Sequence, residues 1–452
     1  METAAEKRNK KTVDMTSGSI VKSIIAFALP LLLGNFFQQL YNTADAVIVG
    51  QYLGKTALAA TGGTSSVLIH LLVMFFINLS SGASVVISQY YGARKEKELK
   101  DTLHTAIALA LTGGLILSVI GVSCTPAVLR FLHSPEDVQP LAVIYLRVYF
   151  SGMITVLVYN IGSAILRAVG DSRRPLHFLI VACFINILLD LLFVAVFHFG
   201  IAGAAAATVI AQGISAVLVL RTLLTTQDIY KLTWKDIRFH PALLKRILFI
   251  GFPAGLQASM FNISNIIIQS TLNGFGTDIV AAWTAFNKLD AIFWMGSNAF
   301  GVSIMTFSGQ NYGAGKFDRI RKSCRICLGM FASYSAVLSV LFALIGGYGL
   351  LLFTSDPSVL HYGRMIMMTM TPFYITYIFV ETYSGAIRGT GNTLIPMLIT
   401  CFGVCVLRVL WIFLYIPGHH TVRAVVSSYP ITWAFTSLLF ILYYFRGNWL
   451  KH

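Results

Sequence analysis

Charged residues are scarce in this sequence, and their scarcity excludes an ordinary soluble domain. Only 11% of the 452 residues are Asp, Glu, Lys or Arg, whereas 56% are hydrophobic and the mean hydropathy is +0.74. Soluble domains contain roughly 25% charged residues. The composition therefore predicts an all-α polytopic membrane protein.

Cysteine and catalytic motifs are also sparse. Six cysteines are present, and Cys324 and Cys327 form a single Cys-x-x-Cys pair with no second pair and no nearby histidine. We interpret this pair as small apolar side chains of a helix rather than as a metal site. The sequence contains no His-Glu-x-x-His, no Gly-x-Ser-x-Gly and no cluster of histidines within the apolar segments. These absences argue against a membrane-embedded enzyme, and no cofactor is predicted.

We expect no cleavable signal with an apolar core, because the first 18 residues are largely polar and include Lys7, Arg8, Lys10 and Lys11. Most Lys and Arg residues lie in alternate loops and at the ends of the chain. The opposite set of loops contains only Lys55, Arg130 and Arg423. This asymmetry predicts that both termini are cytoplasmic in a cell-membrane protein. It also explains the net charge of +15 without a nucleic-acid partner.

Windowed apolarity predicts twelve membrane-spanning helices, six in each half. Several exceed the ~20 residues that a bilayer requires, so tilted or kinked helices are expected. The spans of the first half are 20–51, 57–90, 101–125, 138–166, 175–197 and 202–223. Those of the second half are 245–273, 279–311, 321–348, 359–388, 394–416 and 425–445.

The spans form two groups that are separated by a polar segment. We therefore expect a cytoplasmic tail (1–18), a six-helix bundle (19–224), a cytoplasmic linker (225–244), a second six-helix bundle (245–446) and a cytoplasmic tail (447–452).

The two halves are an internal repeat. The sequence Gln-x-Tyr-Gly-Ala occurs at 89–93 and again at 310–314, and Arg-x-x-Gly at 167–170 recurs at the same offset, at 388–391. Pro30 recurs as Pro253 at nearly the same offset. An even number of crossings per half gives both halves the same orientation, so we predict two bundles related by a pseudo-two-fold axis along the membrane normal, with a cavity between them.

Four acidic residues fall inside predicted spans, namely Asp45, Asp190, Asp290 and Glu381. Such residues usually mark ion or substrate pathways. Asn186 lies four residues before Asp190 and shares its helical face. Counting residues from the turns at Gly54 and Gly200, we place Asp45, Asp190 and Thr208 at a common depth of roughly 12–15 Å below the outer surface of the membrane. Asp45, Asn186, Asp190 and Thr208 are therefore the candidate oxygen ligands for Na⁺, or for a shared proton.

Structural roles remain open for several of these residues. Asn186 and Thr208 are also of the type that forms hydrogen bonds between membrane helices. At the repeat positions of the second half, Leu407 and Trp411 stand where Asn186 and Asp190 stand in the first. That half instead contains Lys288, Asp290, Glu381 and Arg408, which form either a buried charge network or a second coupling or substrate site.

One proline completes the set of candidate residues. Pro30 lies within the first span, where its ring removes a backbone hydrogen bond and permits a kink fifteen residues before Asp45.

Together these features resemble the multidrug and toxic compound extrusion (MATE) family. The resemblance rests on Pro30, on Asp45-x-x-x-Val49-Gly50, on the repeated Gln-x-Tyr-Gly-Ala and Arg-x-x-Gly, and on Asn186-x-x-x-Asp190 with Thr208. It implies twelve helices in two bundles that export organic cations in exchange for sodium or protons. It also implies that Asp45, Asn186, Asp190 and Thr208 bind the coupling cation and that Pro30 forms the kink.

Other functions stay open at this point. A flippase for a lipid-linked or amphipathic substrate also uses two bundles, but away from the span ends only Arg147, Arg364 and Arg408 lie within spans to bind a pyrophosphate head. A channel is disfavoured because the acid site is confined to one half. The expected partners are a small organic substrate, the coupling cation and membrane lipid, and a monomer is expected.

Overall fold

The computed structural model describes residues 12–132 and 135–450. Every regular element within those ranges is helical, which confirms the predicted all-α membrane class. The predicted tails extend outside the described residues at 1–11 and at 451–452.

The first half makes six passes with seven helices. α4 and α5 are two pieces of one pass, bent by 50° at Gly152. A π-helical turn, Leu191–Val196, extends the fifth pass beyond Asp190. The helices are α1 (Ile20–Gly62), α2 (Thr64–Gly92), α3 (Glu96–Phe131), α4 (Gln139–Ser151), α5 (Met153–Ala168), α6 (Arg173–Asp190) and α7 (Gly200–Thr225).

The second half also makes six passes. A 3-10 turn, Thr371–Phe373, joins α11 to α12, and a π-helical turn, Cys401–Val406, joins α13 to α14. The helices are α8 (Pro241–Asn273), α9 (Thr277–Gly313), α10 (Phe317–Leu351), α11 (Pro357–Met370), α12 (Tyr374–Gly389), α13 (Leu394–Thr400), α14 (Leu407–Leu414) and α15 (Val422–Arg446).

Length and apolarity qualify nine segments of the described chain as membrane spans, or ten when α4 and α5 count as one. The two passes outside that set are α9 and the α11–α12 pair, which carry Asp290 and Glu381. Large apolar side chains also remain exposed on other helices, such as Leu414 (76%) and Phe445 (72%). A surface of this kind belongs in lipid, so the chain is a multi-pass membrane protein.

A glycine marks the predicted end of the first span. Gly54 adopts φ 80°, a left-handed conformation that glycine tolerates, and it interrupts the helical geometry within α1. The predicted second span began at residue 57, but α1 continues to Gly62 after the break and α2 begins at Thr64.

The helices pack into two compact units. One contains Leu29–Gly255 and the described residues up to Asp14, and the other contains Met15–Ala28 and the chain from Leu256 onward. The domain prediction assigned all of α1 to the first bundle and α8, from residue 245 onward, to the second. In the structure both helices contribute to both units, and they change unit next to Pro30 and Pro253 respectively.

Close backbone contact holds the start of α8 within the first unit. Gly82 of α2 faces Gly251, and a Cβ atom at position 82 would lie 2.7 Å from the Gly251 nitrogen. One turn earlier, Arg246 donates to Gln89 Oε1 at 2.7 Å and to the Tyr90 hydroxyl at 2.8 Å. Small residues allow membrane helices to approach in this way.

The linker lies against the polar end of α3. The Thr233 N–H donates to His104 Nε2 at 3.1 Å, and the His240 N–H donates to Thr105 Oγ1 at 3.2 Å. Tyr230 belongs to this linker, and burial of its side chain raises the pKa of its hydroxyl group to about 12.

Gly82→Ala is expected to lower the thermal stability of the purified protein, because the added methyl group forces α2 and α8 apart. Overpacking of this kind costs about 1–3 kcal/mol. Gly113→Ala on α3 is the matched control, since its Cβ would meet Leu157 Cδ1 at an ordinary 3.6 Å. Thermal unfolding in detergent measures both variants, and equal losses of stability would contradict the packing argument.

Candidate cation-binding site

Three helices of the first unit bring the candidate ligands together. α1 carries Asp45, α6 carries Asn186 and Asp190 one turn apart, and α7 carries Thr208. Asn186 and Asp190 are fully buried and Thr208 is 7% exposed, whereas Asp45 is half-buried. All four residues thus belong to the same compact unit, and their role as cation ligands stays a prediction.

The two carboxyl groups are the centre of this cluster. Asp45 and Asp190 interact directly with each other, and Asn186 interacts with Asp190. Among the described residues, neither Asp190 oxygen nor Asp45 Oδ1 has a hydrogen bond of good geometry, and the same holds for the Asn186 amide. Buried polar atoms without partners cost free energy. A cation or a shared proton would satisfy several of them at once.

Small residues allow α7 to approach the acidic helix. Gly203 packs on Phe193 of the π-helical turn, and a Cβ at position 203 would lie 3.0 Å from Phe193 Cβ. Ala204 and Ala207 are completely buried in the same stretch. One turn later, the Thr208 hydroxyl donates to the Ala204 carbonyl at 3.2 Å. Its oxygen lone pairs therefore remain available to accept a proton or a cation.

Three tyrosines surround this cluster and were missed by the sequence analysis. Tyr41, on α1, interacts with Thr208 and with both carboxyl groups, and Tyr145 interacts with the same carboxyl groups from α4. Tyr149 stacks against Tyr145 with ring centroids 6.3 Å apart. A signal was present, because Tyr41 precedes Asp45 by four residues and so shares its helical face.

Pro30 lies within α1 and is buried. The backbone on both sides of it keeps helical geometry, and the break inside α1 lies instead at Gly54. The predicted kink at Pro30 therefore stays a prediction.

In the second unit, Asp290 is bound by neutral donors. The hydroxyl of Tyr374 and the indole Nε1 of Trp294, the latter at 2.7 Å, donate to its carboxyl oxygens. Tyr374 in turn stacks on Phe293, with centroids 3.9 Å apart. Aromatic residues thus hold this buried acid in place.

The other charged residues of the second unit have separate environments. Glu381 pairs with Arg388 at 3.7 Å. Arg408 donates to Thr432 Oγ1 at 3.3 Å and to Asn265 Oδ1 at 3.5 Å, and lies over the Tyr429 ring. Lys288 is exposed. Within the described chain no ion pair joins Lys288, Asp290, Glu381 and Arg408 to one another, and their shared role stays a prediction.

Comparison with known proteins adds independent information. The MatE family model matches residues 30–192 and 253–414, one stretch in each half. The chain is 30% identical over 444 residues to the probable multidrug resistance protein YoeA of Bacillus subtilis, covering 96% of this chain and 95% of that protein. It is 25% identical over 426 residues to the FAD transporter of Shewanella oneidensis, covering 92% and 93%.

A solved structure has the same fold. A transporter of the MOP superfamily from Pyrococcus furiosus superposes with a TM-score of 0.90 at 23% identity, covering 98% of this chain and 99% of that one. The twelve helical passes, six in each half, agree with that fold.

Tyr374→Phe is expected to destabilise the purified protein, because it removes one of the two donors to the buried Asp290 carboxyl group. A buried acceptor that loses a donor costs about 1–3 kcal/mol. Tyr348→Phe on the exposed face of α10 is the control, with 71% of its surface accessible. Thermal unfolding compares the two, and unchanged stability of Tyr374→Phe would show that this hydrogen bond contributes nothing.

Proposed function

The chain belongs to the MatE family of multidrug and toxic compound extrusion transporters, and from that premise we propose that it is an antiporter coupled to Na⁺ or H⁺. Its family makes it a multidrug efflux transporter of small molecules and not an enzyme. The proposal concerns the finer points: the coupling ion, the residues that bind it and the class of substrate.

The buried acid pair carries the proposal. Asp45 and Asp190 interact within a cluster of oxygen atoms, and no Lys or Arg forms an ion pair with either of them among the described residues. Two ionised carboxylates at such proximity repel each other strongly in a site of low dielectric constant. A bound Na⁺ or a shared proton removes that repulsion. Carboxylate, amide and hydroxyl oxygens are suitable ligands for a hard cation.

Coupling follows from differential binding. If the cation stabilises the conformation that releases substrate outward, an inward cation gradient favours that conformation whenever the site faces outside. Cation release to the cytoplasm would restore the acid pair and the state that accepts substrate. Asp45 and Asp190 neutralise the charge of the cation, and the Asn186 amide and the Thr208 hydroxyl supply further oxygen ligands.

Pro30 supplies the flexible position in this scheme. It lies next to the residue at which α1 passes from one compact unit to the other, and it removes one backbone hydrogen bond from the helix. We infer that bending at Pro30 accompanies neutralisation of Asp45 farther along the same helix.

The proposed substrate is an organic compound of cationic or amphipathic character. One relative is named as a probable multidrug resistance protein and another as a FAD transporter, so the proposal names a class of organic compounds rather than one substrate. Both termini are proposed to face the cytoplasm, on the distribution of Lys and Arg.

Asp45→Asn and Asp190→Asn are each expected to reduce gradient-driven transport by about tenfold or more, within the usual range of coupling free energies. Each variant removes one carboxylate of the pair while preserving its size. Uptake of a fluorescent organic cation into everted vesicles, under an imposed Na⁺ or pH gradient, measures the effect.

Asp278→Asn is the matched control, because this exposed acid lies in the first turn of α9 and belongs to the other compact unit. Its transport should equal that of the wild type. Unchanged ion dependence in Asp45→Asn would show that coupling occurs elsewhere.

Pro30→Ala is expected to slow transport by several-fold while leaving cation binding intact, because the restored backbone hydrogen bond stiffens α1. Pro126→Ala, a proline inside α3, serves as the control. Vesicle uptake measures transport and calorimetry measures cation binding. Loss of binding in Pro30→Ala, or equal slowing in both variants, would contradict a role in bending.

A further inference from the structure

The repeat places an arginine of the second unit at the counterpart of the cation site. The sequence offset that relates 89–93 to 310–314 pairs Asn186 with Leu407. In the described part of the chain, however, each half contains one π-helical turn, and the two turns occupy different places. The turn at Cys401–Val406 precedes Leu407, whereas the turn at Leu191–Val196 follows Asp190.

This difference shifts the helical register by a single position. A π-helix closes its hydrogen bonds from residue i to i+5 rather than i+4, so each such turn accommodates one extra residue. The second half has its extra residue before this segment, and the first half has its extra residue after it. A residue of the first half in this segment therefore corresponds to the residue of the second half that lies one place later than the sequence offset gives. Arg408 occupies the position of Asn186, and Ile412 that of Asp190.

Burial supports the shifted register independently. Asn186 and Asp190 are both fully buried, and Arg408 and Ile412 are 1% and 7% exposed. Leu407 and Trp411, the partners given by the sequence offset alone, are only half-buried.

The remaining ligands have equally informative counterparts. The offset that relates Pro30 to Pro253 pairs Asp45 with Ile268, which is 1% exposed. Asp45 and Asp190, the two acids of the candidate cation site, thus correspond to buried isoleucines. Thr208 corresponds to Tyr429, whose ring centroid lies 3.9 Å from the Arg408 guanidinium carbon. The counterpart site has lost two negative charges and gained a positive one.

The neighbours of Arg408 are neutral. Asn265 and Thr432 accept its hydrogen bonds, and Tyr429 offers its ring face. Its Nε atom has no hydrogen-bond partner of good geometry among the described residues. A guanidinium group remains charged in proteins, and burial without an anionic partner is costly. A side chain retained at this cost needs a purpose other than stability.

We propose that Arg408 is a tethered counterpart of the exchangeable cation, so that its guanidinium permanently occupies the site in the second unit that corresponds to the cation site of the first. The amide of Asn265 and the Tyr429 ring bind it as oxygen ligands bind a free ion. The second unit therefore stays in its cation-bound form, and only the first unit exchanges an ion. This last consequence rests on the proposed antiport, whereas the fixed charge itself does not.

Two substitutions of similar length separate charge from packing. Arg408→Lys keeps a positive charge, and Arg408→Met fills the buried space with an apolar chain. We expect Arg408→Lys to retain transport within a few-fold of the wild type and Arg408→Met to lose about tenfold or more per folded molecule. A purely structural arginine predicts the opposite order, because an apolar side chain is less costly to bury.

Chemical rescue gives a second readout that packing does not affect. In Arg408→Ala, added guanidinium should restore vesicle transport several-fold, while urea, which has nearly the same shape and no charge, should not. Equal rescue by urea, or wild-type transport in Arg408→Met, would overturn the proposal. If a variant accumulates poorly, the yield of folded protein is compared instead. A higher yield of Arg408→Lys than of Arg408→Met supports the fixed charge, and a higher yield of Arg408→Met refutes it.

These outcomes are distinguishable from failure of the antiport proposal. Asp45→Asn with unchanged ion dependence would remove the exchange site from the first unit but leave the Lys and Met comparison intact. Conversely, a fully active Arg408→Met alongside an uncoupled Asp45→Asn would refute the tethered cation alone.

Discussion

Two neighbouring acidic side chains in a membrane helix bundle, one buried and one half-buried, are the constraint on which the rest of this structure depends. Asp190 is fully enclosed and interacts with Asp45 from another helix. The free energy of such a pair depends steeply on whether a cation or proton lies between its oxygens. A small ion can therefore shift the balance between conformations of the helices that carry the two residues.

The same physical problem has opposite solutions in the two halves. The first unit keeps two acids and leaves their charge to be neutralised from outside the chain. The second replaces both acids with Ile268 and Ile412 and places Arg408 over Tyr429. Because the π-helical turns lie at different places in the two halves, Arg408 occupies the helical position of Asn186. In the proposed scheme a duplicated fold provides one exchangeable charge and one fixed charge, while Asp290 of the second unit is held by neutral donors.

Much of this arrangement was predictable from the sequence. Apolar runs identified the helical passes, and the depths of Asp45, Asp190 and Thr208 predicted that they would lie together. The sequence did not reveal where the π-helical turns lie, because hydropathy is the same whether a backbone hydrogen bond spans four residues or five. It therefore did not reveal which residues share a helical face beyond such a turn. It therefore paired Leu407 with Asn186. It also missed Tyr41 and Tyr145, since aromatic residues are common throughout apolar helices.

The most direct test of the central claim counts the cations that substrate displaces from the purified protein. Adding a saturating organic substrate to detergent-solubilised wild-type protein, loaded with Na⁺ or held at fixed pH in weak buffer, should release about one Na⁺ or one proton per chain. The double variant Asp45→Asn/Asp190→Asn should release none. Undiminished release from the double variant would contradict the account.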